Sequence, residues 1–205
     1  MMTIFQQPDK NASGQSGPHR RGRLFIVSAP SAAGKTTLCA GLLERLPDMV
    51  RSVSYTTRAP RPGEQNGVDY YFIDEKQFRA GIDTNRWVEW ARVHGNYYGT
   101  AADAIEEKLS AGIDMVLNID VQGADQIHAR YPDSVRIFIL PPSLEELRRR
   151  LETRGGDDPA AMDVRMAAAQ QEMARRHDFD HVIVNDDLDT AIDQLIAVVA
   201  GYRSS

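Results

Sequence analysis

Short apolar runs alternate with amphipathic stretches along the chain from Leu24 onward. The apolar runs are typical of strands in a parallel sheet that is covered on both faces, and they lie at 24–29, 50–53, 115–120, 135–140 and 182–184. The chain therefore carries the strand pattern of a buried parallel sheet.

Helices are predicted between and after these strands. Leu38, Leu42 and Leu46 recur at helical spacing after the first strand, and residues 187–201 carry a long apolar stripe at the end of the chain. Further helices are predicted at about 100–110, at 143–154 and from 159 to about 176. The alternation predicts an α/β domain of three layers, in which a parallel sheet lies between helices.

Two segments depart from this pattern. Residues 1–21 are polar and contain Pro, Gly and Ser, which predicts a disordered arm. Residues 54–100 combine Tyr, Trp and Gly with short alternating stretches and predict a small β-rich insertion. The predicted core then comprises residues 22–53 and 101–205.

The composition is that of an ordinary globular protein, with 42% hydrophobic and 26% charged residues. No apolar run approaches the roughly 18 residues that cross a bilayer, and the chain does not begin with the apolar segment of a signal peptide. We therefore expect no membrane association. The single cysteine, Cys39, excludes an intrachain disulfide, fits a cytoplasmic location and is predicted to be buried on a helix.

Charge is unevenly distributed along the chain. The formal net charge is −5. Residues 1–23 carry four basic side chains against one carboxylate, a net charge of +3, which leaves −8 for the rest. An acidic body lacks the broad basic face that a general grip on nucleic acid requires. We expect small phosphate-bearing ligands held by local basic side chains, and no nucleic-acid partner.

The turn after the first strand carries a phosphate-binding motif. Residues 29–37 match the pattern G-x-x-x-x-G-K-[ST], except that Ala29 replaces the first glycine. In such a loop the backbone N–H groups and the helix dipole bind an anion, the lysine neutralises phosphate oxygens and the hydroxyl reaches Mg²⁺. The sequence predicts a site for ATP with Mg²⁺, with Thr36 as the metal ligand, formed by Ser31, Ala32, Ala33, Gly34, Lys35, Thr36 and Thr37.

A second candidate phosphate site lies at residues 56–72. Arg58 and Arg61 are three residues apart in a stretch too rich in Pro and Gly for a helix, and two guanidinium groups suit bidentate binding of a phosphate dianion. A tyrosine hydroxyl can add a donor. The turn chemistry of Pro and Gly also explains the segment without a ligand, as a solvated hairpin with surface arginines.

Several other candidates have ordinary structural explanations. Glu89 lies in an alternating stretch and can occupy the exposed face of a strand. Arg148 and Arg149 are predicted to lie on the solvated face of a charged helix. His177 and His181 are four residues apart, but a break between helix and strand separates them, so we do not expect a metal site there.

Taken in order, these motifs resemble those of the guanylate kinase family, and they extend over nearly all of residues 24–205. The resemblance rests on Ala29-Pro-Ser-x-x-Gly-Lys-Thr36, Ser54-x-Thr-Thr-Arg58-x-x-Arg61-x-x-Glu64-x-x-Gly67-x-x-Tyr70-x-Phe72, Glu89-Trp90-x-x-x-x-Gly95-Asn96-Tyr97-Tyr98-Gly99-Thr100, Ile119-Asp120-x-Gln122-Gly123 and Val182-Ile-Val-Asn185-Asp186. Many family members carry alanine at the first loop position, so Ala29 resembles a family variant. Asn118 departs from the family, which often carries a carboxylate there.

The resemblance implies a P-loop kinase core and an enzyme that transfers the γ-phosphoryl group of ATP to GMP, and to dGMP, with domain closure. It implies that residues 54–100 form a GMP-binding insertion and that about 143–168 form a helical lid over ATP. The GMP contacts that it implies are Ser54, Glu89, Thr100 and Asp120 for guanine, and Arg58, Arg61, Tyr70 and Tyr98 for the phosphate. Around the transferred phosphoryl group it implies Lys35, Arg154 and Arg165, with Arg150 a lesser candidate, and near the adenine Asn185.

Two other functions remain open from the sequence. A non-catalytic guanylate-kinase-like module would tend to lose the loop or the lid arginines, whereas Lys35, Thr36, Arg154 and Arg165 are all present. A related kinase of phosphorylated sugars would lack the guanine set. No strong general base is expected in the leading interpretation, because the attacking group is already an anion and catalysis needs positioning and positive charge.

Overall fold

The structure is a computed structural model that describes residues 20–93, 95–154 and 159–204. Nearly all of the predicted arm lies outside the described residues, and so do Gly155 and Gly156, which the sequence predicts as a flexible element of the lid. The strands are β1 (Leu24–Ser28), β2 (Val50–Arg51), β3 (Tyr55–Thr56), β4 (Tyr71–Phe72), β5 (Trp87–Val93), β6 (Asn96–Ala101), β7 (Met115–Asn118), β8 (Val135–Leu140) and β9 (His181–Val184). The helices are α1 (Lys35–Arg45), α2 (Glu75–Asp83), α3 (Ala102–Ser110), α4 (Val121–Arg130), α5 (Leu144–Arg154), α6 (Pro159–Ala174) and α7 (Leu188–Arg203).

Five strands form a parallel sheet in the order β2-β7-β1-β8-β9. The central strand β1 is buried along its whole length, and its side chains alternate between the two faces. Phe25 and Val27 pack with residues of α1 and α7, whereas Leu24 and Ile26 pack with residues of α3 and α4. The sheet therefore lies between two helical layers, which confirms the predicted three-layer α/β fold.

The segment that was predicted to be β-rich forms a second sheet, in the order β4-β3-β6-β5. Helix α2 packs on this sheet, where Phe78 stacks against Trp87 and Tyr97 at ring-centroid distances of 4.5 and 5.2 Å. Strands β5 and β6 form an antiparallel hairpin. The second sheet thus has a small aromatic core of its own.

The sequence reading missed two helices, α2 and α4. In α2 only Phe78 and Gly81 are buried, so its apolar spacing is too sparse to stand out. A capping box formed by Asp74 and Gln77 starts this helix instead. Helix α4 begins at a cap in which the Asp120 carboxylate accepts the Gly123 N–H, and it follows so closely on β7 that no break marks it.

Helices α5 and α6 occupy the region that was predicted to form a lid. Their buried side chains pack together and against Ala32 of the phosphate-binding loop, and they are Leu147, Leu151, Met162, Met166 and Ala169. The two predicted helices are confirmed, and α5 ends at Arg154 as expected. The contact with Ala32 ties them to the loop.

A buried carboxylate joins the two described ends of the chain. Asp114 is 1% exposed and accepts hydrogen bonds from the Arg20 guanidinium at 2.7 and 2.8 Å, from the Arg23 N–H at 2.7 Å and from Arg203 Nε at 2.7 Å. Burial opposes ionisation of this carboxyl, but the hydrogen bonds outweigh it and lower its pKa. The start and end of the described chain are therefore fastened to the residue before β7.

Cys39 is buried on α1, as predicted. Within the described part of the chain, no helix has the length and apolar character that crossing a bilayer requires. His181 Nε2 lies 3.0 Å from the hydroxyl of Tyr202 in the last helix.

Candidate functional site

The phosphate-binding loop follows β1 and leads into α1 through an unusual backbone. Gly34 has a φ of 95°, and a Cβ at this position would lie 2.2 Å from Asn185 Nδ2. Ala32 also has a positive φ, of 65°, whereas Ala29 does not. Glycine is therefore required at position 34 for two reasons, the positive φ and the lack of space beside Asn185. Alanine at position 29 fits without backbone strain.

Asn185 lies beneath this loop. Its side chain is 5% exposed, and Nδ2 donates a hydrogen bond of 2.8 Å to the Ala33 carbonyl. Arg150 donates to the Asn185 carbonyl at 3.1 Å and to Glu146 at 2.7 Å. The residue predicted to lie near the adenine thus supports the loop from below, a contact that the sequence did not reveal.

Lys35 extends from the start of α1 to the end of β7. Its Nζ donates a hydrogen bond of 2.7 Å to the Ile119 carbonyl, which also accepts one of 2.8 Å from the Ser28 hydroxyl. Burial lowers the pKa of the Lys35 ammonium, and the nearby carboxylates Asp120 and Glu172 oppose that shift. The Lys35 ammonium therefore lies against the Ile119 carbonyl, just after the carboxyl end of β7.

Thr36 is exposed, and its hydroxyl accepts a hydrogen bond of 3.3 Å from Asn118 Nδ2. Asn118, at the position where the family often carries a carboxylate, therefore lies beside the predicted metal ligand. No cluster of three or more His, Cys, Asp or Glu side chains suited to a metal occurs among the described residues. The donors here fit a Mg²⁺ ion that takes most of its ligands from phosphates and water.

Glu89 is buried in strand β5, with 6% exposure, so the alternative of an exposed strand face is wrong. Its Oε1 accepts a hydrogen bond of 2.6 Å from the Thr100 hydroxyl, which lies 3.3 Å from the Ser54 hydroxyl. Burial raises the pKa of Glu89 to about 7; the Asp120 charge adds to this shift and the Thr100 hydroxyl opposes it. Four residues of the predicted guanine set are thus brought together.

Arg58 is partly buried, with 15% side-chain exposure, in a turn shaped by Gly63 and Gly67 at positive φ. Its guanidinium donates to both oxygens of Glu64 at 2.8 and 3.0 Å and lies 5.6 Å from the centre of the Tyr70 ring. The solvated-hairpin alternative is therefore wrong for Arg58.

Arg61 follows in the same turn, and its backbone N–H donates to Glu64 at 2.7 Å. Its side chain is exposed, as the solvated hairpin predicts. The two arginines therefore differ in environment, since Arg58 points inward onto the aromatic rings and Arg61 lies at the surface.

A cleft of about 500 Å³ joins the loop and the second sheet. The predicted residues that line it are Ser31, Lys35, Thr36, Ser54, Tyr70, Glu89, Tyr98 and Asp120, and three others, Ala91, Asn118 and Ile119, complete the wall. Thr37 and Arg165 are exposed and do not line this cleft. The side chain of Arg154 lies outside the described residues, whereas Arg148 and Arg149 are exposed as predicted.

A separate cleft of about 450 Å³ lies at the amino ends of β1 and β8 and contains none of the predicted site residues.

Comparisons with known proteins agree on one family. A family model described as "Guanylate kinase" matches residues 21–202. The chain is 54% identical over 178 residues to the guanylate kinase of Dechloromonas aromatica, with 87% of this chain and 88% of that protein covered. It is 53% identical over 184 residues to the guanylate kinase of Shewanella oneidensis, with 89% of each covered. The crystal structure of guanylate kinase from Anaplasma phagocytophilum superposes with a TM-score of 0.74 at 34% identity, covering 91% of this chain and 88% of that one.

Proposed function

The chain belongs to the guanylate kinase family, and from this premise we propose how its cleft binds and joins two nucleotides. As a member, it is a nucleoside monophosphate kinase that phosphorylates GMP to GDP at the expense of ATP. The assignment of individual residues to that reaction is our proposal, and so are the requirement for Mg²⁺ and the use of dGMP.

The loop between β1 and α1 binds the ATP phosphates in this proposal. Its support is the backbone of residues 31–37, which turns through Ala32 and Gly34 at positive φ before the helix begins. Lys35 lies at the floor of the cleft and would exchange the Ile119 carbonyl for phosphate oxygens. Thr36, with Asn118 beside it, would hold a Mg²⁺ ion, which would neutralise part of the phosphate charge.

The second sheet binds GMP. Guanine carries N1–H and N2–H donors side by side, and a single carboxylate such as Glu89 can accept both. The buried Thr100 hydroxyl donates to that carboxylate, and Ser54 and Asp120 line the same cleft. Adenine lacks the pair of donors and would leave the carboxylate unpaired, which can cost roughly 10⁴-fold in specificity.

The GMP phosphate binds to the turn before β4, on Arg58 and Arg61 with the hydroxyls of Tyr70 and Tyr98. Glu64 holds Arg58 in place through two hydrogen bonds, so the guanidinium is positioned before the phosphate arrives. The other terminal nitrogen, Nη1, donates to the Ala59 carbonyl at 2.7 Å and would exchange this carbonyl for a phosphate oxygen. Arg61, which is exposed, would close over the phosphate.

Phosphoryl transfer then needs alignment and positive charge more than acid–base chemistry. We propose that residues 54–100 act as a GMP-binding unit and that about 143–168, which carry Arg154 and Arg165, act as a lid that closes on the transferred group and excludes water. The acidic body supports small nucleotides rather than nucleic acid as ligands. The single cysteine supports a cytoplasmic location.

The observation that carries the proposal is the buried carboxylate of Glu89 in the same cleft as Lys35 and the phosphate-binding loop. A coupled assay of ADP release with ATP and Mg²⁺ tests it, with GMP, dGMP, AMP and UMP compared as acceptors. We expect turnover with GMP and dGMP and little with AMP or UMP. Absence of GMP-dependent turnover, or equal turnover with AMP, would overturn it.

A further inference from the structure

Strand β5, which carries Glu89, is one of the two edge strands of the second sheet. Its inner side pairs with β6, where Trp90 lies opposite Gly99. Its outer side faces helix α4 of the core. An edge strand has unpaired N–H and C=O groups along its outer side, and these groups need partners from elsewhere.

Gln126 of α4 pairs with the backbone of this edge. The Trp90 N–H donates to Gln126 Oε1 at 3.3 Å, and Gln126 Nε2 donates to the Trp90 carbonyl at 3.5 Å. The carboxamide therefore meets both polar groups of one residue, as a neighbouring strand would. This contact joins the core to the residue that directly follows Glu89.

A second contact lies one helical turn earlier. A Cβ at Gly123 would lie 3.2 Å from Glu89 Oε2, so the helix backbone approaches the carboxylate closely. Gly123 and Gln126 are three residues apart and share one face of α4. One face of α4 thus approaches the Glu89 side chain at Gly123 and contacts strand β5 through Gln126.

We propose that Gln126 is a positioning residue for guanine recognition, with Gly123 providing the space in which the Glu89 carboxylate lies. The inference rests on the proposed role of Glu89. Gln126 holds β5 at the distance from α4 at which the carboxylate enters the cleft, so that guanine meets an ordered acceptor and does not have to order it on binding. Gln126 is exposed and Trp90 is 39% exposed, so removal of this surface contact should disturb folding little.

The test compares Gln126→Ala with Gln194→Ala, which makes the same change at an exposed position of α7. We expect Gln126→Ala to raise the KM for GMP roughly three- to tenfold, the range for one net hydrogen bond, with the KM for ATP and the Tm equal to those of the control. The preference for GMP over inosine monophosphate, which lacks the N2 donors, should fall. Gln126→Glu keeps the acceptor for the Trp90 N–H but not the donor, so its KM for GMP should be intermediate.

Gly123→Ala provides an independent probe. Alanine favours a helix over glycine, so the Tm should not fall, yet the added methyl group should displace the carboxylate and raise the KM for GMP. The positioning role is overturned if Gln126→Ala matches Gln194→Ala while Glu89→Gln impairs GMP use, or if Gln126→Ala raises the KM values for ATP and GMP equally. If Glu89→Gln itself leaves GMP use unchanged, the proposed role of Glu89 fails first, and the positioning role fails with it.

Discussion

Replacement of Glu89 by glutamine should weaken GMP binding and at the same time stabilise the protein above neutral pH. The two effects have one cause, since the carboxylate lies in a buried cleft wall where ionisation is unfavourable until guanine supplies two donors. Glutamine has the same shape and can still accept the Thr100 hydrogen bond. It presents an N–H group to the guanine donors, so we expect kcat/KM for GMP to fall roughly 100-fold or more.

The magnitude of the stability change follows from the pKa. Burial raises the pKa of Glu89 from the usual 4.5 to about 7. Below pH 4.5 the carboxyl is protonated in both the folded and the unfolded protein. Between pH 4.5 and 7 only the unfolded protein ionises, so the free energy of unfolding falls as the pH rises, and above pH 7 the loss is complete at about 3 kcal/mol. Glutamine does not titrate and avoids this loss.

Urea denaturation at pH 5, 6, 7 and 8 measures the effect, with Glu44→Gln on the exposed side of α1 as the matched control. The stability of Glu89→Gln relative to the wild type should rise by about 2.5 kcal/mol between pH 5 and pH 8. The control should show no such rise. A difference that stays constant over this range would refute the reasoning, because the carboxyl would then not titrate differently in the folded protein.

Other consequences of the structure can be measured separately. The KM for GMP should rise about tenfold from pH 8 to pH 6 as Glu89 is protonated. In the Glu89→Gln variant the KM should change with pH only as far as protonation of the GMP phosphate changes it. Equal pH profiles of the KM in the two proteins would contradict this. Gly34→Ala should lower the free energy of unfolding by about 2 kcal/mol and raise the KM for ATP more than tenfold. The alanine Cβ would lie 2.2 Å from Asn185 Nδ2, and the backbone φ of 95° is strained for alanine. An unchanged KM for ATP would contradict the proposed role of this loop. Asp114→Asn should lower the free energy of unfolding, measured by urea denaturation, by about 2 kcal/mol. This is less than the loss from breaking a fully buried ion pair, because the arginine partners of Asp114 can reach water. The kcat should not change, and a loss of activity without a loss of stability would contradict this.

Much of the core could be predicted because its information is local. The period of apolar residues identified the strands and most of the helices, and the glycine and lysine of the loop after β1 carry their chemistry in adjacent positions. Helix α2 escaped this approach because its packing is decided by Trp87 and Tyr97, which come later in the chain. Its capping box and its helix-forming residues were local signals of a helix, but the apolar period alone does not use them.

In the site, too, some features could be predicted from the local sequence and others depend on tertiary packing. Residue types and spacing were enough to single out Lys35 and Arg58, because phosphate demands cations, whereas Glu89 was identified only through the family resemblance. Their surroundings depend on residues far away along the chain: Asn185 supports the loop through Ala33, and α4 meets the strand of Glu89 at Gly123. Such contacts leave no trace in local spacing, since they arise only when packing of the sheet and helices brings separate segments within hydrogen-bonding distance. That packing is also what buries Glu89 and raises its pKa, so the chemical state of the residue is a property of the fold.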